Sequence, residues 1–168
     1  FFKITGKATG TANLTIESTT NINFTISNIS FGSGSVNLGS NNATIDTLGN
    51  VINGNWTPVT QGFVLENLGN NNVTLHLKSG KTAAQFLGGT SPSYQYNVTN
   101  NETGSCINAT GFSLGLWTDV NTAGDGDLIC NPFGISANSI NIDLKLVIPS
   151  DARIGSQSDV FTATGTAF

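Results

Sequence analysis

The sequence predicts an all-β fold, an antiparallel β-sandwich, on three observations. Apolar residues recur at every second position in stretch after stretch, which is the period of a strand with one buried face. Clusters of Gly, Asn and Pro separate these stretches as turns do. Helical spacing is hinted at in one short segment, Lys81–Leu87 (KTAAQFL). At 168 residues the chain suits one domain around one core, and no linker divides it.

The first element is FFKITGKATGTANLTIE, residues 1–17. Its even positions are apolar or small and its odd positions, Phe1 excepted, are polar. A strand of that length would reach roughly 55 Å at about 3.3 Å per residue, more than a domain of this size accommodates. Asn21–Ser27 (NINFTIS) points Ile22, Phe24 and Ile26 one way, and Asn42–Leu48 is a weaker strand. Phe63–Asn67 (FVLEN) and Val73–Lys78 (VTLHLK) flank Leu68–Asn72 (LGNNN) and predict a hairpin. Ser93–Thr99 and Phe112–Thr118 follow. Ser139–Ile148 (SINIDLKLVI) is the clearest internal strand, with Ile140, Ile142, Leu144, Leu146 and Ile148 inward, and Asp159–Phe168 closes the chain.

Composition narrows the function. Lys+Arg total 6 and Asp+Glu 10, for a net charge of −4, and no basic run offers a nucleic-acid interface. No apolar run is long enough for a membrane-spanning helix. Asn and Thr number 22 each, and Gly 20. With so few charges, the surface must be solvated by other means. The sequon N-x-[ST] occurs nine times, at Asn13, Asn23, Asn28, Asn42, Asn55, Asn72, Asn97, Asn101 and Asn108. Random placement at this composition gives roughly five. Eight of the nine are the Thr form, where chance gives roughly three. A glycan needs an outward or loop asparagine, and Asn13, Asn23 and Asn72 fall on polar faces or turns. The expectation is N-linked glycosylation at several of these sites. Pro58, close behind its sequon, makes Asn55 the least favoured.

Two cysteines, Cys106 and Cys130, in a chain that reads as secreted predict a disulfide, closing a loop worth roughly 3 kcal/mol. The chain opens on Phe1, which suggests that a signal peptide or membrane leader was removed or left off. No catalytic constellation is legible: the lone His76 sits on the polar side of its strand, and Gly32–Ser40 is a Gly/Ser turn rather than a phosphate loop. Asp119–Asp127 (DVNTAGDGD) places Asp119, Asn121, Asp125 and Asp127 around two glycines, a candidate calcium loop. It lacks the EF-hand spacing, and the plain alternative is a polar hairpin tip. No other cofactor is required.

FVLENLGNNNVTLHL (Phe63–Leu77) resembles a hairpin of archaeal secreted Ig-like domains, and VIPSDARIGSQSDVFTATGTA (Val147–Ala167) resembles their last two strands. Together with the sequons and the long first strand, the chain looks like subunits of archaeal extracellular filaments, the threads and bundling pili. It is more distantly similar to bacterial biofilm-matrix fibre proteins. The resemblance implies a single Ig-like/jelly-roll-like sandwich with an extended N-terminal donor strand. It departs from type IV pilins in having no long apolar N-terminal helix.

In that reading residues 1–11 are an extension and residues 12–168 the sandwich, with Ala12–Glu17 as its own first strand. Phe1, Phe2 and Ile4 would bind the next subunit, and Gly6, Ala8 and Gly10 would allow close backbone approach. The partner is a second copy of the chain in a head-to-tail homopolymer, at a cell surface that meets other cells or surfaces, as in a biofilm. The alternatives are a monomeric glycosylated surface or adhesion domain and a calcium-dependent lattice or tube subunit.

Overall fold

The computed structural model describes residues 14–168. Eleven strands and one helical turn follow in order: β1 (Ile22–Ile26), β2 (Asn42–Asp46), β3 (Val51–Ile52), β4 (Phe63–Asn67), β5 (Val73–Ser79), α1 (Ala83–Phe86), β6 (Ser93–Asn100), β7 (Cys106–Asn108), β8 (Thr118–Asp119), β9 (Asp127–Phe133), β10 (Ser139–Pro149) and β11 (Phe161–Ala167). They form two antiparallel sheets, of seven and four strands, in a β-sandwich-like fold.

The organiser is β10. Its alternation drives Ile140, Ile142, Leu144 and Leu146 into the core. At eleven residues it is long enough to hold two neighbours on one edge, β4 along Ser139–Ile142 and β2 along Lys145–Pro149. Its other edge pairs with β6 from Ile140 to Val147. β1 extends the sheet beyond β4, β3 beyond β2, and β8 beyond β6. The second sheet runs β11-β5-β9-β7. Val73, Leu75 and Leu77 of β5 and Ile129, Cys130 and Phe133 of β9 line its inner side. Between the sheets an aromatic chain links Phe24, Phe63, Phe161, Tyr94 and Phe86, with neighbouring ring centroids 4.9 to 5.9 Å apart. Offset and edge-on rings at this separation add to the burial of their area.

The helical turn is α1, and its boundary is written in the sequence. The Thr82 hydroxyl accepts from the Gln85 backbone N–H while the Gln85 side chain accepts from the Thr82 N–H, a reciprocal capping box.

Three expectations are corrected. β4 and β5 are not a hairpin: β4 pairs with β1 and β10, β5 with β11 and β9, so Leu68–Asn72 crosses from one sheet to the other. Both strands bury one face, and a hairpin or an arch satisfies that pattern equally. The arch is closed by Asn67, whose amide donates to the Asn71 and Phe133 carbonyls and accepts from the Gly69 N–H. Phe112–Thr118 is mostly turn, because Gly111 and Gly115 both adopt positive φ, and the strand there is only Thr118–Asp119. Residues 14–17 of the expected Ala12–Glu17 strand pair with nothing in either sheet; Leu14 and Ile16 are 85% and 80% exposed.

Candidate functional site

One flank of the sandwich brings two sheet edges together. β1 ends one sheet and β11 ends the other, and each pairs on a single side among the described residues. They meet at Gly165, where a Cβ would stand 3.2 Å from Ile22 Cγ2 and 3.4 Å from Val73 Cγ2, so a side chain there would press on Ile22 of β1. β11 turns Phe161, Ala163, Gly165 and Ala167 inward and Thr162, Thr164 and Thr166 to solvent. Its other edge, unpaired among the described residues, offers backbone donors and acceptors, the template that β-augmentation uses.

The chain reaches this domain through a polar clamp. Asn70 Nδ2 donates to the Glu17 carbonyl, and Asn70 Oδ1 accepts from the Thr19 N–H at 2.7 Å. The Asn70 N–H donates to the Thr19 carbonyl, and Asn71 Nδ2 donates to Ser18 Oγ. The Leu68–Asn72 crossing is thus also the anchor that sets the direction in which residues 14–17 leave. Beside it lies an open, polar cleft of about 550 Å³, lined by Asn70, Asn72, Pro132, Ile135, Ser136 and Ala137. The predicted subunit-binding residues Phe1, Phe2, Ile4, Gly6, Ala8 and Gly10, and the sequon Asn13, lie outside the described residues.

Of the other sequons, Asn23, Asn28, Asn42, Asn55, Asn72, Asn101 and Asn108 are exposed. Asn23 projects from β1, Asn42 begins β2 and Asn108 ends β7. Asn97 departs from the expectation of an outward asparagine. It is 7% exposed in the middle of β6, and its Oδ1 is buried without a partner. The folded domain has no room for a glycan there. The sequon signals composition and order, not cover, so nothing in the motif separates Asn97 from its exposed counterparts.

Cys106 and Cys130 are joined, with Cα atoms 5.2 Å apart. The bond ties β7, the edge of the four-stranded sheet, to β9, and both cysteines are buried.

The acidic loop is held together by protein contacts. Asp119 Oδ1 accepts from Gln95 Nε2 at 2.9 Å. Asp127 Oδ2 accepts from the Tyr96 hydroxyl at 2.6 Å and Oδ1 from Asn121 Nδ2 at 2.9 Å. Asn121 Oδ1 accepts from the Ala123 N–H, and Lys78 Nζ donates to the Gly124 carbonyl. Asp125 is exposed. Gly126 lies so close to β5 that a Cβ would come within 2.0 Å of the Leu77 carbonyl oxygen. Of the four predicted ligands, Asn121 and Asp127 bond each other, Asp119 bonds Gln95 and Asp125 is exposed, and no group of three His, Cys, Asp or Glu side chains converges among the described residues.

Two tyrosines unnoticed in the sequence organise this side of the core. Burial pushes the Tyr96 phenol up, aided by its hydrogen bond to Asp127; burial likewise raises Tyr94, aided by the charge of Asp159. Asp159 in turn accepts from Ser79 Oγ at 2.6 Å. Their only sequence signal was alternation in SYQYNVT, which marks burial but not a polar partner. His76 stands half-buried on the outer side of β5 opposite Thr164, away from any nucleophile or acid cluster.

No family model, curated protein or solved structure matches the chain.

Proposed function

We propose that this protein is a structural subunit of a secreted, N-glycosylated extracellular filament, polymerised by donor-strand complementation of an Ig-like sandwich. The observation that carries the reading is the flank where β1 and β11 meet. The edge of β11 that is unpaired among the described residues presents seven residues of backbone, whose inner face is Phe161 followed by the small Ala163, Gly165 and Ala167. The sequence at the start of the chain alternates Ile4, Gly6, Ala8 and Gly10 with polar residues, a small-faced strand of matching period. Leu14 and Ile16 are exposed beyond the Asn70 clamp and find no cover among the described residues. Alternating apolar side chains without such cover are suited to burial in another subunit. A contact of this head-to-tail kind that does not close on itself propagates as a filament. The exposed sequons provide the wet surface that a weakly charged polymer needs.

The test removes residues 1–10. The truncated chain is expected to keep the circular-dichroism spectrum and cooperative melting of the parent while forming no filaments by negative-stain microscopy. A synthetic peptide of residues 1–13 should bind the truncated domain and be blocked by Gly165→Val. Filaments of normal appearance from the truncated chain would sink the proposal.

A further inference from the structure

The outer face of the seven-stranded sheet holds a cluster that the filament reading does not use. Asp143 on β10 lies directly opposite Asn97 on β6, and Lys145 lies opposite Gln95. These residues project away from the core side taken by Ile142 and Leu144. An outward face is normally wet, yet Asn97 and Asp143 are only 7% and 8% exposed. The Asn97 amide oxygen is buried with no hydrogen-bond partner, a condition native proteins rarely leave unexplained. Asp143 is fixed through Oδ1, which accepts from Thr47 Oγ1 at 2.7 Å. Lys145 Nζ sits 4.6 Å from the centre of the Trp117 ring. Trp117 immediately precedes β8, which pairs with the far edge of β6 through Tyr96 and Thr118. The lysine and the indole therefore meet across β6, where Asn97 projects. Asn97 is a diagonal neighbour of Lys145, within reach of a long side chain.

We propose that Lys145 and Asn97 form an intramolecular amide bond between Nζ and Cγ, with Asp143 as the proton carrier. In this step the Nζ lone pair of Lys145 attacks Cγ of Asn97. Asp143, paired directly opposite Asn97, carries the proton to Asn97 Oδ1 as the attack proceeds, which makes Cγ more electrophilic. The new Nζ–Cγ bond forms, the Cγ–Nδ2 bond breaks, and a proton from Nζ passes through Asp143 to Nδ2, which leaves as ammonia. Nothing is oxidised or reduced, and no co-reactant is consumed. The Trp117 ring and the burial of the site keep out the water that would compete as nucleophile. The product covalently braces β6 to β10, the two most extensively paired strands of the larger sheet. It stands whether or not the chain forms filaments.

The full chain, produced without glycans, is measured by intact mass spectrometry and, after reduction, by peptide mapping with trypsin and chymotrypsin together, because trypsin alone leaves Asn97 and Lys145 in one peptide, residues 82–153, and chymotrypsin cuts between them at Phe112 and Trp117. The expected mass is about 17 Da, one ammonia, below that of the sequence with its disulfide accounted for. The map should contain a branched peptide joining the Asn97 segment to the Lys145 segment, with no cleavage after Lys145. Asp143→Asn and Lys145→Arg should each restore the full mass and abolish the branched peptide. A full-mass parent chain with ordinary cleavage after Lys145 overturns the bond, independently of how the variants fold. Ammonia loss without a branched peptide, as from a succinimide at Asn53-Gly54, also overturns it. Bond formation in a folded Asp143→Asn variant overturns the role of Asp143.

Discussion

Reduction of the Cys106–Cys130 bond is the most informative single perturbation of the fold. The two cysteines are 24 residues apart, so the bond closes a loop of about 25 residues in the unfolded chain. In the chain-entropy model that constraint is worth about 3.5 kcal/mol at 25 °C. Reduction leaves both sulfurs in place, so it removes the constraint without opening a cavity. For a chain of this length the loss corresponds to a fall of about 10 °C in the midpoint of thermal unfolding. The assay is a pair of melts, oxidised and fully reduced, followed by far-UV circular dichroism. Cys106→Ala should destabilise by more than reduction does, because it also removes a buried sulfur from the contact between β7 and β9. A reduced protein that melts within 2 or 3 °C of the oxidised one would refute this reasoning. It would mean that β7 detaches locally and that the bond does not constrain global unfolding.

Leu75→Ala, at a fully buried position in the centre of β5, should cost about 2 to 5 kcal/mol in chemical denaturation. Asn67→Ala removes an amide that serves two carbonyls and one N–H at the crossing between sheets, and should cost about 1 to 3 kcal/mol. Tyr94 and Tyr96 are held neutral by the fold, above the ordinary phenol value, so their contribution is intact below about pH 10 and is lost as pH rises beyond it. Stability should therefore fall above pH 10 by up to about 1.4 kcal/mol per pH unit for each, and replacing both with Phe should flatten that slope. Glycopeptide mapping of the natively produced protein should find Asn97 bare and the exposed sequons Asn23, Asn28, Asn42, Asn55, Asn72, Asn101 and Asn108 modified. A full glycan on Asn97 of the folded protein would contradict its burial.

What the amino-acid sequence determined by itself is local. Period-two alternation placed β1, β4, β5, β6 and β10 and identified the inward residues of β10, because the pleat turns adjacent side chains to opposite faces. The spacing in Lys81–Leu87 hinted at the helical turn, and the structure adds the Thr82–Gln85 capping box that fixes its start. The cysteine pair was legible from its number and context. The tertiary structure decided what depends on partners. Alternation around LGNNN could not say whether β4 and β5 share a sheet or face each other across the core, since each strand buries one side in either arrangement. β9 was hidden because DLICNPF carries register shifts where it meets β5, so its buried residues do not strictly alternate. Asn97 had the same motif as Asn101, and only the cover supplied by β10 and the segment before β8 separates a buried amide from an exposed one. The acids of DVNTAGDGD looked like one ligand set in the chain, yet the fold sends Asp119 to Gln95 and Asp127 to Tyr96. A motif fixes which groups are near one another along the backbone. Which way their side chains point is fixed by the strands that pack beside them.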